Sequence, residues 1–171
     1  HAALGVEFAQ GYGMTEASGN VVFLSPDDHR RGLAGEHRVL RAAGRPGPGV
    51  DLEVRRADGS VCGPGEMGEI HLRGPQISPG YWDDGGPAPA PAVVDGWLAT
   101  GDMAMADADG LLTIVDRAKD IIITGGENVA SREVEEVLAT HPAVAQVAVV
   151  GVEDRQWGEA VVAAVVRRPT I

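Results

Sequence analysis

The sequence predicts an α+β fold, in which a small antiparallel β-sheet or barrel is followed by a small α+β domain. Apolar and polar residues alternate over residues 50–55, which is typical of a half-buried strand. The segment "GEIHLRG" repeats this alternation a few residues later. After about residue 119 the pattern changes to strand, helix, strand, strand. We therefore predict two domains, residues 1–118 and residues 119–171.

The first elements follow from short apolar runs broken by glycines. "GVEFAQGYG" predicts a short buried strand at Val6 and Phe8 that ends in a loop at Gly11 and Gly13. Residues 25–44 are strongly charged, so we expect an exposed connection with at most weak helix.

The middle of the chain predicts hairpins separated by turns. The strand at residues 50–55 is expected to turn at Asp58–Gly59 and to form a half-buried hairpin, and another strand is expected in "GEIHLRG". Residues 74–96 contain too much proline and glycine for regular structure. Short strands at residues 97–100 and 111–115, joined through Asp109–Gly110, complete this region.

The second region begins with a strand at residues 121–123 that Gly125–Gly126 ends. Ser131 is expected to cap a helix that stops before Pro142. Three apolar residues at helical spacing predict its inner face: Val134, Val137 and Leu138. "VAQVAVVGV" and "EAVVAAVV" predict strands too uniformly apolar to have a wet face.

Composition limits the classes of function. The formal net charge of -11 repels nucleic acid and anionic lipid surfaces, so neither is an expected partner. Cys62 is the sole cysteine, and no signal peptide or membrane-spanning apolar run is visible, which favours a cytoplasmic protein. Both ends of the sequence look abrupt, as expected of an excised fragment.

Two motifs carry candidate ligand chemistry. In "QGYGMTE", Gly11 and Gly13 allow close backbone approach, Thr15 offers a hydroxyl, and Glu16 offers an oxygen suited to Mg²⁺. Taken alone, these residues more often belong to a turn with a surface charge and a packed tyrosine. In "DGWLATGDMA", Asp102 follows an apolar strand and could accept hydrogen bonds from ribose hydroxyls, although Asp after Gly is also a common turn.

Arg117 ends the next predicted strand and offers a planar fork for ribose or phosphate oxygens, or a salt bridge to a neighbouring aspartate. Together with these motifs, the chain resembles the acyl-CoA synthetases of the adenylate-forming, or AMP-binding, superfamily. Five stretches match successive family motifs in the family's order and cover nearly all of the chain: "QGYGMTE", "GEIHLRGPQISPGYW", "DGWLATGD", "VDRAKDIIITGGENVASREVEEVL" and "HPAVAQVAVVGVEDRQWGEAV".

The resemblance implies that residues 1–118 are the end of the large AMP-binding domain and that residues 119–171 begin its mobile C-terminal domain. It implies that Tyr12 stacks on adenine, that Thr15 contacts the α-phosphate and that Glu16 holds Mg²⁺. It further implies that Asp102 binds both ribose hydroxyls. The other residues that it places at the nucleotide are Gln10, Gly11, Gly13, Arg117 and Asn128.

The resemblance places the single lysine, Lys119, at the hinge position, where relatives carry Lys or Asp. The resemblance implies two half-reactions: a carboxylic acid attacks ATP to give acyl-AMP, and coenzyme A then takes the acyl group. Gly125 and Gly126 would line the tunnel for the pantetheine arm of CoA. From the local sequence alone, Lys119 is equally a solvated loop charge and the glycines equally a tight turn.

The sequence departs from the family where catalysis matters most. The phosphate-binding loop that should precede residue 1 is missing, and so is the lysine motif that should follow residue 171. We therefore expect an acyl-CoA synthetase, active on a carboxylic acid such as a fatty acid, whose isolated fragment is inactive. Two alternatives stay open: a non-catalytic nucleotide-binding module, and an acyl-AMP ligase that loads a carrier protein.

Overall fold

The computed structural model describes residues 5–83, 86–89 and 93–169, and it divides into two compact units, residues 1–114 and residues 115–171. Every strand pair whose register is described is antiparallel. Two α-helices accompany the sheets in the described ranges. The predicted α+β class is therefore confirmed, while the domain boundary at residues 118 and 119 stays a prediction.

The first unit contains three small sheets and one α-helix, α1 (Pro26–Leu33), in its described part. Short 3₁₀ turns occupy Thr15–Ala17 and His37–Arg41. The strands are β1 (Gln10–Met14), β2 (Gly19–Leu24), β3 (Arg45–Pro46), β4 (Asp51–Arg55), β5 (Met67–Arg73), β6 (Gly80–Asp83), β7 (Gly86–Pro89), β8 (Val93–Val94), β9 (Trp97–Ala106) and β10 (Leu112–Arg117), the last of which continues into the second unit.

The main sheet of this unit has the strand order β10-β9-β5-β4, and β8 pairs with β9. Ile70 and Leu72 of β5 are completely buried and lie opposite Val54 and Leu52 of β4. Leu98 of β9 lies opposite Leu72 and continues the same apolar layer. The structure therefore has both predicted strands and pairs them with each other, and this sheet forms the centre of the larger core.

Trp97 anchors the start of β9. Two guanidinium groups lie against its ring, with Arg55 Cζ 4.4 Å and Arg73 Cζ 4.5 Å from the ring centroid, and the residue is only 8% exposed. Cation–π contacts of this kind stabilise by about 0.5–1 kcal/mol at exposed sites and by about 2 kcal/mol when desolvated. The stack fixes one end of the strand that carries Asp102.

Two predictions for the first 14 residues are wrong. Val6 and Phe8 lie outside any strand and are exposed, and the strand begins instead at Gln10. Gly11 and Gly13 lie inside β1, which pairs with β2. Glycine is needed at residue 13 because a Cβ there would come within 1.8 Å of the Gly19 carbonyl oxygen of β2. The glycines there permit close strand pairing with a bulge, not a loop.

The charged segment after β2 is also more ordered than predicted. Ser25 and Asp28 form a capping box: Ser25 Oγ accepts from the Asp28 amide at 3.1 Å, and the Asp28 carboxylate accepts from the Ser25 amide at 3.3 Å. Asp28 is 6% exposed and also accepts from Arg45 at 3.1 Å. Burial raises the pKa of Asp28, but hydrogen bonds from Ser25 and Arg45 lower it more, so its net pKa lies below the ordinary value.

Gly44 shows where backbone conformation and close packing both require glycine. Its φ is 121°, and a Cβ would lie 1.9 Å from the Phe23 carbonyl oxygen. Gly35 has a similar φ of 128°, but a Cβ there would have no atom within 4 Å. An alanine at Gly35 would therefore carry only the free-energy cost of the backbone conformation, whereas an alanine at Gly44 would also carry the cost of a steric clash.

The proline-rich stretch at residues 74–96 is not entirely irregular. Within it, β6 pairs with β7, and Tyr81 lies opposite Ala88. Residues 84–85 and 90–92 of this stretch lie outside the described residues.

The second unit is one sheet with the strand order β12-β11-β14-β13 and one described α-helix. A 3₁₀ turn at Ala118–Asp120 precedes it. Its elements are β11 (Ile121–Thr124), β12 (Glu127–Ala130), α2 (Ser131–Ala139), β13 (Val144–Asp154) and β14 (Gly158–Arg167). Neither described helix of the chain has the length and apolar character that a membrane crossing needs.

The strands of this unit lie where the sequence predicted them, but their side chains are more exposed than predicted. Val150 of β13 and Val162 of β14 lie opposite each other and are 52% and 42% exposed. The prediction that these strands lack a wet face is therefore wrong for the described unit. Val137, predicted on the inner face of α2, is exposed as well, while Val149 is buried and donates its amide to Glu135 of α2 at 2.8 Å.

Candidate functional site

The structure joins the first two sequence motifs through one hydrogen bond. The Tyr12 hydroxyl of β1 donates to Asp102 Oδ2 of β9 at 2.6 Å, across 90 residues of sequence. This distance is typical of a hydroxyl bonded to a carboxylate, which is stronger than a bond between neutral groups. "QGYGMTE" and "DGWLATGD" therefore meet at one place in the first unit.

Asp102 is held rigidly from its own strand. The residue is 8% exposed, and its amide donates to Thr100 Oγ1 at 3.1 Å. The preceding Gly101 has a φ of 74° and donates its amide to Glu69 at 2.8 Å. The positive φ turns the strand locally, so the carboxylate is presented at a fixed position beside Tyr12.

The other predicted residues of this motif follow along the chain. Gln10 and Gly11 are exposed at the start of β1, and Gly13 ends its bulge. Thr15 and Glu16 begin the 3₁₀ turn that follows β1, where Thr15 is exposed and Glu16 is half-buried. Among the predicted site residues, a hydrogen bond joins Tyr12 to Asp102. Thr15 and Glu16 belong to the same region because they directly follow β1, which carries Tyr12.

Tyr81 was not among the site residues predicted from the sequence. Its hydroxyl donates to Glu16 Oε1, and the amide of Ser78 donates to the Glu16 carbonyl at 2.7 Å. The sequence offered only the family-like stretch "SPGYW", with no pattern that would pair it with a glutamate 65 residues away.

The remaining predicted residues belong to the second unit. Arg117 ends β10 and Lys119 lies in the following 3₁₀ turn, and both are exposed. Asn128 is exposed on β12. Lys119 also borders a pocket of about 620 Å³, whose other charged lining residues are Asp116, Asp120, Arg132, Glu135 and Glu159.

Gly125 and Gly126 form the predicted turn between β11 and β12, with φ values of 59° and 86°. The Gly125 amide donates to the Trp157 carbonyl at 2.8 Å. A Cβ at Gly125 would come within 3.0 Å of the Trp157 ring, which is itself half exposed. Glycine therefore keeps the turn close to an accessible aromatic surface.

Asp116 is a second residue that was not predicted from the sequence. Its Oδ2 accepts from Ser131 Oγ at 2.8 Å and from the Arg132 amide at 3.2 Å, and its Oδ1 accepts from the Arg117 amide at 2.9 Å. Ser131 is thus the first residue of α2 and not its cap, and the carboxylate of Asp116 satisfies the helix terminus instead.

The pKa of Asp116 reflects the same contacts. Burial raises its pKa, but hydrogen bonds from the Ser131 hydroxyl and from the amides of Arg117 and Arg132 lower it by more, so the net pKa lies below the ordinary value. The sequence contained one clue, since Ala130 occupies the position before the helix and cannot cap it.

Family models match both parts of the chain. The model described as AMP-binding enzyme matches residues 1–82, and the model described as AMP-binding enzyme C-terminal domain matches residues 133–170. Together they cover well over half of the sequence in the order that the motifs predict. The chain belongs to the AMP-binding enzyme family.

Named relatives and solved structures agree with this assignment. A medium/long-chain-fatty-acid–CoA ligase of Mycobacterium tuberculosis is 46% identical over 94% of this chain and 27% of its own length. A fatty acid–[acyl-carrier-protein] ligase of Streptomyces coeruleorubidus is 44% identical over 98% of the chain and 31% of its own length. The chain thus spans less than a third of either relative.

An o-succinylbenzoate CoA synthetase from Bacillus subtilis, solved in complex with its acyl-adenylate intermediate, superposes with a TM-score of 0.82 at 39% identity. That match covers 98% of this chain and 33% of the solved chain. The same enzyme in complex with ATP and magnesium gives a TM-score of 0.81 at 38% identity, over 99% of this chain and 34% of the solved one.

Proposed function

We propose that this chain is part of an ATP-dependent acyl-CoA synthetase that activates a carboxylic acid as acyl-AMP and transfers the acyl group to coenzyme A. The acid that we propose is a fatty acid, and the location is the cytoplasm. The observation that carries the proposal is the Tyr12–Asp102 hydrogen bond, because it brings two separate nucleotide motifs together.

In this proposal Asp102 accepts hydrogen bonds from the ribose hydroxyls. A carboxylate has about four acceptor positions, so an aspartate that accepts a hydrogen bond from Tyr12 can also accept from a ribose hydroxyl. Tyr12 then offers its ring to adenine while its hydroxyl stays bonded to Asp102, which orients both groups. Arg117 is proposed to bind the ribose, and the nucleotide is proposed to be bordered by Gln10, Gly11, Gly13, Thr15 and Asn128.

Glu16 is the proposed protein ligand of Mg²⁺. Mg²⁺ in nucleotide sites usually keeps several waters and takes one or two carboxylates besides the phosphates, so a single half-buried glutamate fits that donor set. When bound, Mg²⁺ neutralises charge that develops on the phosphates. The protein's own part is to place the α-phosphate near Thr15 and to hold the glutamate.

The chemistry needs two displacements. In the first, an oxygen of the acid forms a bond to the α-phosphorus of ATP, and the bond to pyrophosphate breaks. In the second, the CoA thiolate forms a bond to the acyl carbon, and AMP leaves. We propose that Lys119 serves as the hinge between the two steps and that Gly125 and Gly126 admit the pantetheine arm beside Trp157.

The nucleotide assignment is tested by Asp102→Asn in the full-length protein. Charged hydrogen bonds contribute about 1.5–3 kcal/mol each, so we expect AMP affinity to fall by about 10- to 100-fold. Asp95→Asn is the matched control: Asp95 is exposed with a φ of 51°, which asparagine tolerates. Equal AMP affinity in the two variants would contradict the role of Asp102.

The hinge assignment is tested by Lys119→Ala. Acid-dependent pyrophosphate release and thioester formation are measured separately across short, medium, long-chain and aryl acids. We expect one half-reaction to fall more than the other, whereas Arg155→Ala, which removes another exposed cation of the second unit, changes neither. Equal losses in both half-reactions would remove the hinge role.

One specific observation favours an acyl carrier protein, in place of CoA, as the acceptor of the acyl group. The relative from Streptomyces coeruleorubidus, named as a ligase for acyl carrier protein, matches almost the whole chain. AMP release that requires a carrier protein and not CoA would establish that alternative.

The isolated 171-residue chain is proposed to lack adenylation activity. Exchange of labelled pyrophosphate into ATP by the chain alone would refute this. AMP binding without exchange would show that the chain by itself is a nucleotide-binding module.

A further inference from the structure

The segment that follows β5 holds Glu16 at two points. The Tyr81 hydroxyl donates to Glu16 Oε1, and the Ser78 amide donates to the Glu16 carbonyl oxygen at 2.7 Å. The side chain and the backbone of Glu16 are therefore both fixed by residues 78–81, which lie more than 60 residues away in sequence.

This segment is itself fixed to the turn that carries Glu16. Ser18 Oγ donates to the Gln76 carbonyl oxygen at 2.8 Å, and Ile77 packs against the main core. Ser78 Oγ donates to the Gly80 carbonyl oxygen at 2.8 Å and accepts from the Gly80 amide at 3.2 Å. The position of Tyr81 thus rests on several contacts and not on one exposed side chain.

We propose that Tyr81 is a positioning residue for the metal-ligating carboxylate of Glu16. This rests on the proposed function, which assigns Mg²⁺ to Glu16. A phenol that donates to Oε1 fixes the orientation of the carboxylate and leaves Oε2 to face a cation. Hydrogen bonds to metal-ligating carboxylates orient them in this way, and their loss costs about 10- to 100-fold in metal affinity or activity.

The chemistry of tyrosine suits this role. A phenol donates a hydrogen bond without adding positive charge, so it does not repel the cation that the carboxylate binds. A lysine or arginine at residue 81 would hold the carboxylate but would compete electrostatically with Mg²⁺.

The test measures Mn²⁺ binding, by electron paramagnetic resonance, to the full-length protein loaded with a non-hydrolysable ATP analogue. Tyr81→Phe removes only the hydroxyl, and we expect about tenfold weaker Mn²⁺ binding. Trp82→Phe is the matched control, because Trp82 is the neighbouring exposed aromatic residue of β6 and alternates to the other face of the strand. We expect Trp82→Phe to keep wild-type Mn²⁺ affinity.

Two further measurements separate positioning from general damage. AMP affinity in the presence of a metal chelator should be the same for wild type and Tyr81→Phe, because the phenol acts through the metal ligand. In a Glu16→Gln background, Tyr81→Phe should have no additional effect on Mn²⁺ binding, because the two residues act as one unit.

Equal or tighter Mn²⁺ binding by Tyr81→Phe would overturn the proposal, as would equal weakening by Trp82→Phe. If the wild type releases pyrophosphate with acid and ATP while Tyr81→Phe keeps its metal affinity, only the positioning role fails. If the loaded wild type binds no Mn²⁺, the magnesium role of Glu16 fails together with it.

Discussion

Removing the Asp116 carboxylate should loosen α2 without disturbing the first unit. Asp116→Ala deletes the acceptor of three hydrogen bonds, from the Arg117 amide, Ser131 Oγ and the Arg132 amide. Loss of a helix cap costs about 1 kcal/mol. Ser131 is 7% exposed, so its hydroxyl loses a partner in a poorly hydrated place, which adds about 1 kcal/mol.

The sum of about 2 kcal/mol corresponds to about a 30-fold change in the local opening equilibrium. Amide hydrogen exchange of residues 131–139, followed by mass spectrometry, measures this change directly. We expect about 30-fold faster exchange over α2, while β5 and β9 keep their wild-type rates. Asp116→Asn keeps an acceptor oxygen but not the charge, and we expect a smaller effect.

Asp120→Ala provides the matched control, since it removes the same charge from an exposed position four residues further on. If Asp116→Ala accelerates exchange of α2 no more than Asp120→Ala does, the carboxylate does not cap this helix. Acceleration throughout the first unit would likewise contradict a local role.

Three further outcomes follow from the first unit. The folded state lowers the pKa of Asp28, so its carboxylate stabilises the fold above the unfolded pKa of about 3.9. This stabilisation is lost as the pH falls through the folded pKa. In acid titrations of urea unfolding, Asp28→Asn should therefore lose less stability than wild type. Gly44→Ala should lower the free energy of unfolding by at least 2 kcal/mol more than Gly35→Ala, because ~1–3 kcal/mol of strain is common to both and only Gly44 adds a clash; equal losses would contradict this. Trp97→Leu should destabilise by about 2–4 kcal/mol in urea unfolding, since it removes a buried ring and two cation–π contacts, whereas the exposed Trp82→Leu should change stability little.

Local patterns were sufficient where neighbouring residues decide the structure. Alternation over residues 50–55 and in "GEIHLRG" correctly predicted two strands with a buried face, because period-two burial follows directly from strand geometry. The Gly125–Gly126 turn was also predictable from local sequence, because a turn that needs positive φ favours glycine. The ordered motifs likewise predicted the family that the comparisons establish.

Local patterns failed where a partner from elsewhere changed the outcome. Gly11 and Gly13 were expected to form a loop, but β2 approaches so closely that glycine is needed inside a strand. The charged composition of residues 25–44 concealed a capping box, although "SPDD" contained its two members. Uniform apolar character predicted buried strands, yet burial depends on what covers a sheet and not on its sequence.

The sequence by itself determined the α+β class and the family, because both rest on residue types at short spacing within motifs. Only the tertiary structure decided that Tyr12 bonds to Asp102, that Tyr81 bonds to Glu16 and that Asp116 caps α2. These pairs are 15 to 90 residues apart, and a hydrogen bond forms only when strand register and turns bring donor and acceptor within about 3 Å.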